Sequence, residues 1–304
     1  MAHEEIVNLL SEMVKIKSIS SDKKHRDDVD VSAQFVENLF SGLGLETQVI
    51  KVAGGMPAVV AHTELDPSKK TVLLYAHHDV QPVGDLNLWT TDPFDPVIQD
   101  GRLFGRGSGD NKAGVVVHYN VVKELLEDLP VNIKIFIEGE EEIGSPTMSS
   151  FIEQNRESLD ADVIVIADSG NVKIGVPTIT TTLRGLVDAI IEVDQPMRPI
   201  HSGVGGGVVP DAFMVLSRII TSFHNEKGEL MIEGLTSTDM QVTELEESFL
   251  KKMLGSDDIN LFDTESISKR LWLEPALDVL AIDAPAVKDA VNLVIPKALS
   301  LIHI

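Results

Sequence analysis

His77 and Asp79 stand two residues apart behind the apolar run TVLLYA. If the strand continues through them, a period of two sends both side chains to the same face. His78 then points to the other side and reads as a structural or supporting residue. Acidic residues close or follow comparable segments three more times: Asp110 after GRGSG, Glu141-Glu142 after IKIFIEGE, and Asp168 after VIVIA. Taken singly, each has an ordinary reading. A lone histidine at a strand end is more often a hydrogen-bonded core residue, and Asp110 alone would be a helix N-cap. Gathered at one edge they mean something else, because several carboxylates cannot share a water-poor cleft unless cations neutralise them. One histidine with several carboxylates suits Zn²⁺, Mn²⁺ or Co²⁺, and the ligand types do not choose among them. A carboxylate bridging two ions ~3.5–4 Å apart makes the water between them nucleophilic at neutral pH. A further carboxylate must then accept that water's proton. The tandem Glu141-Glu142 suits both jobs, since neighbouring residues project differently.

Three short strands must position these groups: residues 71–76, 133–138 and 163–167. Each is rich in β-branched or large apolar side chains, and helix-like segments separate them. They read as buried parallel strands of an α/β sheet, in which ligands bind beyond the carboxyl ends. A helix over residues 4–16 would turn Ile6, Leu9, Leu10, Met13 and Ile16 to one face. Another over 29–41 would group Val31, Phe35 and Leu39, with strand QVIKV behind it. A third, over 112–129, would bury Val115, Tyr119, Val122 and Leu126, with Asp110 at its mouth, where free N–H groups favour a carboxylate. The pattern changes near residue 185. LVDAIIEVD alternates in part, like a strand with one covered face, and DAFMVLSRIITSFHN reads as a helix. Residues 1–185 are therefore expected to form the first domain, and residues 186–304 a smaller α+β domain. The run Gly203 to Gly207 lacks the Lys-Ser/Thr of a phosphate-binding loop.

Composition narrows the function classes. The 304 residues are 43% hydrophobic, enough for one or two cores, and contain no cysteine, so any metal is left to His, Asp and Glu. The formal charge of −23, from 48 acids against 25 bases, repels phosphate backbones and argues against a nucleic-acid partner. No apolar run approaches the ~18 residues of a membrane span, and MAHEEIVNLL lacks the basic start of a secretory signal. The expectation is a cytoplasmic protein with no membrane partner.

The segments together resemble the M20 metallopeptidases, in their dipeptidase and carnosinase-like branch. AHHDVQPVG is similar to the first motif of that family, LWTTDPFDPVIQDGRLFGRGSGDNKAG to the second and EGEEEIGS to the third. VIVIADSG supplies the fourth position, and LRGL with HSGVGGGVVPDA resembles the start of the family's lid domain. The resemblance runs over about residues 5–298. It implies two divalent metal ions, zinc first, with manganese or cobalt compatible. His77 and Asp168 would bind one ion, Glu142 the other, and Asp110 both. Asp79 would orient His77, and Glu141 would be the general base. His201 would reach across a homodimer, formed through the lid, to stabilise the oxyanion. The resemblance also implies a cis peptide between Asp110 and Asn111, and a dipeptide or short peptide as substrate. An N-acyl-amino-acid deacylase of the same family, or an inactive remnant, is the alternative.

Members of this branch return from the lid to complete the catalytic domain, and that segment supplies the last histidine of the second metal. It is expected to lie outside these 304 residues, which would leave hydrolysis and second-metal binding weak. LSLIHI departs from the family pattern, and His303 comes too early to be the missing ligand.

Overall fold

The computed structural model describes residues 2–304. The chain divides into two compact units, Met1–Thr178 and Ile179–Ile304. Elements are numbered in chain order.

The first unit opens with helices α1 (Ala2–Val14) and α2 (Arg26–Gly42), then strands β1 (Glu46–Ile50), β2 (Ala58–His62) and β3 (Thr71–His77). A small hairpin, β4 (Val97–Gln99) and β5 (Arg102–Phe104), precedes helix α3 (Lys112–Leu125). Strand β6 (Asn132–Glu138), short helices α4 (Met148–Gln154) and α5 (Arg156–Leu159), and strand β7 (Val163–Ile166) follow. The main sheet has the order β1-β2-β6-β3-β7. Strands β6, β3 and β7 run parallel, while β2 and β1 continue the sheet antiparallel.

Alternation along the strands builds two cores. Leu74, Ala76, Ile135 and Ile137 face one side, where Met13 of α1, Val36 and Phe40 of α2 and Val115 and Val122 of α3 pack on them. Leu73, Val60 and Phe136 face the other, where Phe151 of α4 stacks on Phe136 at 5.0 Å between ring centroids. The buried stripe of α2 is Val29, Ala33, Val36 and Phe40; Val31, read from the sequence as inward, is 54% exposed. Both stripes satisfy helical spacing, and Phe35 and Leu39 of the expected one pack against the margin of this core. β7 also departs from expectation. It pairs only with β3, and all four of its residues are exposed, so an apolar strand lies at a sheet edge. At the amino end of β6, buried Asn132 clamps the preceding loop. Its Oδ1 accepts from the Asp66 N–H at 2.9 Å, and its Nδ2 donates to the Asp66 carbonyl at 2.9 Å.

The second unit contains β8 (Asp188–Asp194), β9 (Ile200–His201), α6 (Ser202–Gly205), α7 (Ala212–Ser222), α8 (Glu247–Met253), α9 (Ile267–Trp272), β10 (Asp278–Asp283), β11 (Leu293–Val294) and β12 (Lys297–His303). A three-stranded antiparallel sheet has the order β10-β12-β8, and β9 pairs with β11. Helix α7 lays Ala212 and Leu216 on Ala298, Ile191 and Val193. The segment LSLIHI, foreign to the expected pattern, makes most of the central strand. Ala298, Ser300 and Ile302 are buried in strict alternation, and His303 Nδ1 lies 3.1 Å from Asp188 Oδ1. Among the described residues, no helix is long and apolar enough to cross a membrane.

Candidate active site

His77 is the last residue of β3 and is wholly buried. Its Nδ1 faces the Asp79 carbonyl at 3.1 Å and the Asp79 carboxylate at 3.3 Å. Both neighbours are acceptors, so a neutral imidazole keeps its proton on Nδ1 and turns the Nε2 lone pair outward. Three carboxylates meet that nitrogen: Asp110 Oδ1 at 3.1 Å, Glu141 Oε2 at 3.7 Å and Asp168 Oδ1 at 3.7 Å. Ligand atoms of His77, Asp110 and Asp168 all lie within 4.8 Å of one another, the only such group among the described residues. Parallel pairing explains why they meet. Register sets His77 opposite Glu138 and Tyr75 opposite Ile166, so both chains leave the sheet at the same edge. The peptide bond between Asp110 and Asn111, at the start of α3, is cis.

The electrostatics follow from crowding and burial. Burial alone would lower the His77 pKa, but the hydrogen bond and charge of Asp79, with the charges of Asp168 and Glu141, raise it to about 9. This imidazole therefore sits in a field that favours positive charge. Burial lifts the Glu141 carboxyl above its ordinary value. Repulsion from Asp168, Glu142 and Asp79 adds to that lift, and His77 opposes it. Glu142 is raised too, by burial and by Asp110, with the Gln81 hydrogen bond opposing. Burial also pushes Asp79 up, but its hydrogen bond to His77 contributes to a net lowering, so it stays a carboxylate. One outward imidazole nitrogen and two convergent carboxylates form a donor set that fits a hard or borderline divalent cation.

Glu142 stands outside the three-residue group, and its carboxylate is taken up by Gln81. The Gln81 N–H donates to Oε1 at 3.2 Å, and the Gln81 amide donates to Oε2 at 2.8 Å and to the Glu142 carbonyl at 2.9 Å. The Glu142 N–H donates in turn to Asp79 Oδ2 at 3.1 Å. Buried Glu140 anchors the same turn, accepting from the Thr147 N–H at 2.8 Å and the Met56 N–H at 3.1 Å. His78 points away from the site, as alternation requires. Its Nε2 donates to the Pro57 carbonyl at 2.9 Å, and burial lowers its pKa to about 4, keeping it neutral. His201 lies in the second unit, exposed, with Nδ1 accepting from the Gly203 N–H at 3.0 Å. Sequence reasoning gives Gln81, Glu140 and Asn111 no role at the site, although each lies inside a segment that resembles a family motif: AHHDVQPVG, EGEEEIGS and GRGSGDNKAG.

Residues 73–287 match the model of peptidase family M20/M25/M40. A cysteinylglycine-S-conjugate dipeptidase of Corynebacterium striatum is 34% identical over 302 residues, covering 97% of this chain and 66% of the relative. The human β-Ala-His dipeptidase is 30% identical over 328 residues, covering 96% of this chain and 63% of the relative. The chain thus spans about two thirds of the length of these curated relatives. Among solved structures, human carnosine dipeptidase 1 superposes with a TM-score of 0.79 at 28% identity, over 99% of this chain and 69% of that one. An M20 family metallo-carboxypeptidase from Sulfolobus solfataricus gives 0.81 at 27% identity, over 98% and 70%. A site in which a buried histidine meets carboxylates at the edge of a parallel sheet, carried on a chain so matched, belongs to peptidase family M20/M25/M40.

Proposed function

We propose that this chain carries the metal centre of a hydrolase that cleaves dipeptides or short peptides. One observation carries the reading: the buried His77 imidazole, backed by Asp79, turns its outward nitrogen to Asp110, Asp168 and Glu141. The dipeptidase names of the relatives point to the substrate class. His77 and Asp168 would hold one divalent cation, Glu142 a second, and Asp110 would serve both. Zinc is the first choice, with manganese or cobalt equally compatible in ligand type. Bound there, such ions supply Lewis acidity and a water that is nucleophilic at neutral pH. Asp79 fixes the tautomer and orientation of His77. Glu141, with its carboxyl raised by burial and by its acidic neighbours, takes the proton of the attacking water and returns it to the leaving amine. Residues 1–185 would form the N-terminal part of the catalytic domain and residues 186–304 the lid. A homodimer through the lid would bring His201 of one copy to the oxyanion of the other. The cysteine-free composition suits an enzyme of the reducing cytoplasm.

Two measurements test this. Titration of the 304-residue chain with Zn²⁺ or Mn²⁺ should reveal at least one tight equivalent, lost in His77→Ala. In a form extended to the length of its relatives, Glu141→Gln should keep its metal and lose dipeptide turnover by about 10²–10⁴-fold. Near-normal turnover in that variant would place the base elsewhere. Faster cleavage of an acetyl-amino acid than of a dipeptide would move the reading to a deacylase.

A further inference from the structure

We infer that Asn111 is a positioning residue of the metal site, whose one carboxamide fixes the orientation of Asp168 and ties it to the His77 backbone. The inference rests on the reading of His77, Asp110 and Asp168 as ligands. Asn111 is 2% exposed and sits at the amino end of α3. Its Nδ2 donates to Asp168 Oδ1 at 2.6 Å and to the Ala167 carbonyl at 2.6 Å, so each amide hydrogen has its own acceptor. Its Oδ1 accepts from the His77 N–H at 3.3 Å. One planar group therefore joins the end of β3, the segment leaving β7 and the start of α3.

The geometry is specific to this side chain. The two acceptors belong to consecutive residues, one a backbone carbonyl and one a carboxylate, and the fixed fork of an amide holds them at a set angle. A hydroxyl offers a single donor, a glutamine is one methylene too long, and an aliphatic side chain offers nothing. The seat is also sterically defined. A Cβ at Gly114 would come within 2.4 Å of Asn111 Oδ1 and 2.3 Å of the Ala167 carbonyl. A glycine inside a helix costs roughly 0.5–1 kcal/mol against alanine, and here it makes room for the amide. Asp168 lies just beyond the edge strand, on an exposed residue. Released from Asn111, its carboxylate could turn to water, and a cation would have to reorder it on binding. Partners that hold metal ligands in place typically contribute 10–100-fold in affinity.

A merely structural buried asparagine makes the natural control, and the molecule has one. Asn132 is also buried, at 5% exposure, and clamps the Asp66 loop at the amino end of β6. Asn111→Leu and Asn132→Leu each remove an amide and strand its partners, so both should lower the metal-free melting temperature. They should part company when Co²⁺ is titrated and followed by its visible absorption. Asn132→Leu should bind Co²⁺ with wild-type affinity and spectrum. Asn111→Leu should bind it about 10–100-fold more weakly, with an altered spectrum. If Asn111→Leu does not fold, Asn111→Ser carries the test, since it leaves room for water and keeps one donor. Wild-type Co²⁺ affinity and spectrum in the folded Asn111 variant would overturn the inference while leaving the ligand reading intact. No Co²⁺ binding by the wild type would sink the ligand reading, and the inference with it.

Discussion

Lys112 and His77 are buried cationic residues whose effects on stability oppose each other. The Lys112 ammonium donates to the Met13 carbonyl at 2.9 Å and the Ile16 carbonyl at 2.6 Å. Burial drives its pKa down to about 7 from 10.5, with Asp79 and Asp28 pulling the other way. Between these values the unfolded chain binds a proton that the folded chain does not, so stability rises with pH. For His77 burial is outweighed, and the pKa rises from 6.5 to about 9. There the folded chain holds the extra proton, and that stabilisation is lost as pH climbs through the same window. Urea unfolding of the metal-free protein should therefore change little between pH 7 and 9, where the two nearly cancel, and then turn upward. In Lys112→Met the midpoint should fall from pH 7 to 9 with no later rise; a flat profile there would refute the assignment. The candidate ligands were legible in the sequence because each follows an apolar run or opens a helix. Asn111, Gln81 and Glu140 were not. Their partners Asp168, Glu142 and Met56 lie 57, 61 and 84 residues away, and no local period encodes a bond made across a sheet.

At the scale of elements, strands β3, β6 and β7 stood out in the sequence because β-branched runs ended at polar residues. β2 did not, since AVVAH does not end at an acidic cluster and its antiparallel pairing to β6 is visible only once the sheet exists. In α2 the expected stripe departs from the buried one at Val31, while Phe35 and Leu39 pack against the core, and β7 differs in burial because composition records hydrophobicity and not neighbours. The turn after β6 depends on a tighter constraint. A Cβ at Gly139 would stand 2.2 Å from the Pro57 carbonyl and 2.8 Å from His78 Nε2. One obstacle is backbone and the other a fully buried ring, so neither yields easily. Gly139→Ala should cost about 1–3 kcal/mol in chemical denaturation, as overpacking does. It should also weaken metal binding, since Glu141 and Glu142 follow two and three residues later. A variant as stable as the parent would mean that the segment before β2 moves freely.

Across the whole molecule, an excess of acid is spread over two units, while the candidate site is drawn from four short stretches of the first: 77–79, 110–111, 141–142 and 168. Between them lie helix α3 and strand β6, then α4 and α5, each needed to bring the next stretch to the same edge. The pairing of β3 with both β6 and β7 has a consequence in time as well as in space. Parallel strands close only after the intervening chain has been ordered, and such non-local pairing is intrinsically slow. His77 and Asp168, 91 residues apart, meet only when β7 has docked on β3. A cation held by His77, Asp110 and Asp168 is therefore expected to arrive last and to lock what is already built, rather than to nucleate folding of this unit. Refolding from urea in the presence of Co²⁺ should show far-ultraviolet ellipticity recovering before the visible absorption of the bound ion. The rate of the earlier phase should be indifferent to metal concentration, and the unfolding rate should fall as metal is added. Acceleration of the first phase by Co²⁺ would show that the ligands find one another before the sheet does.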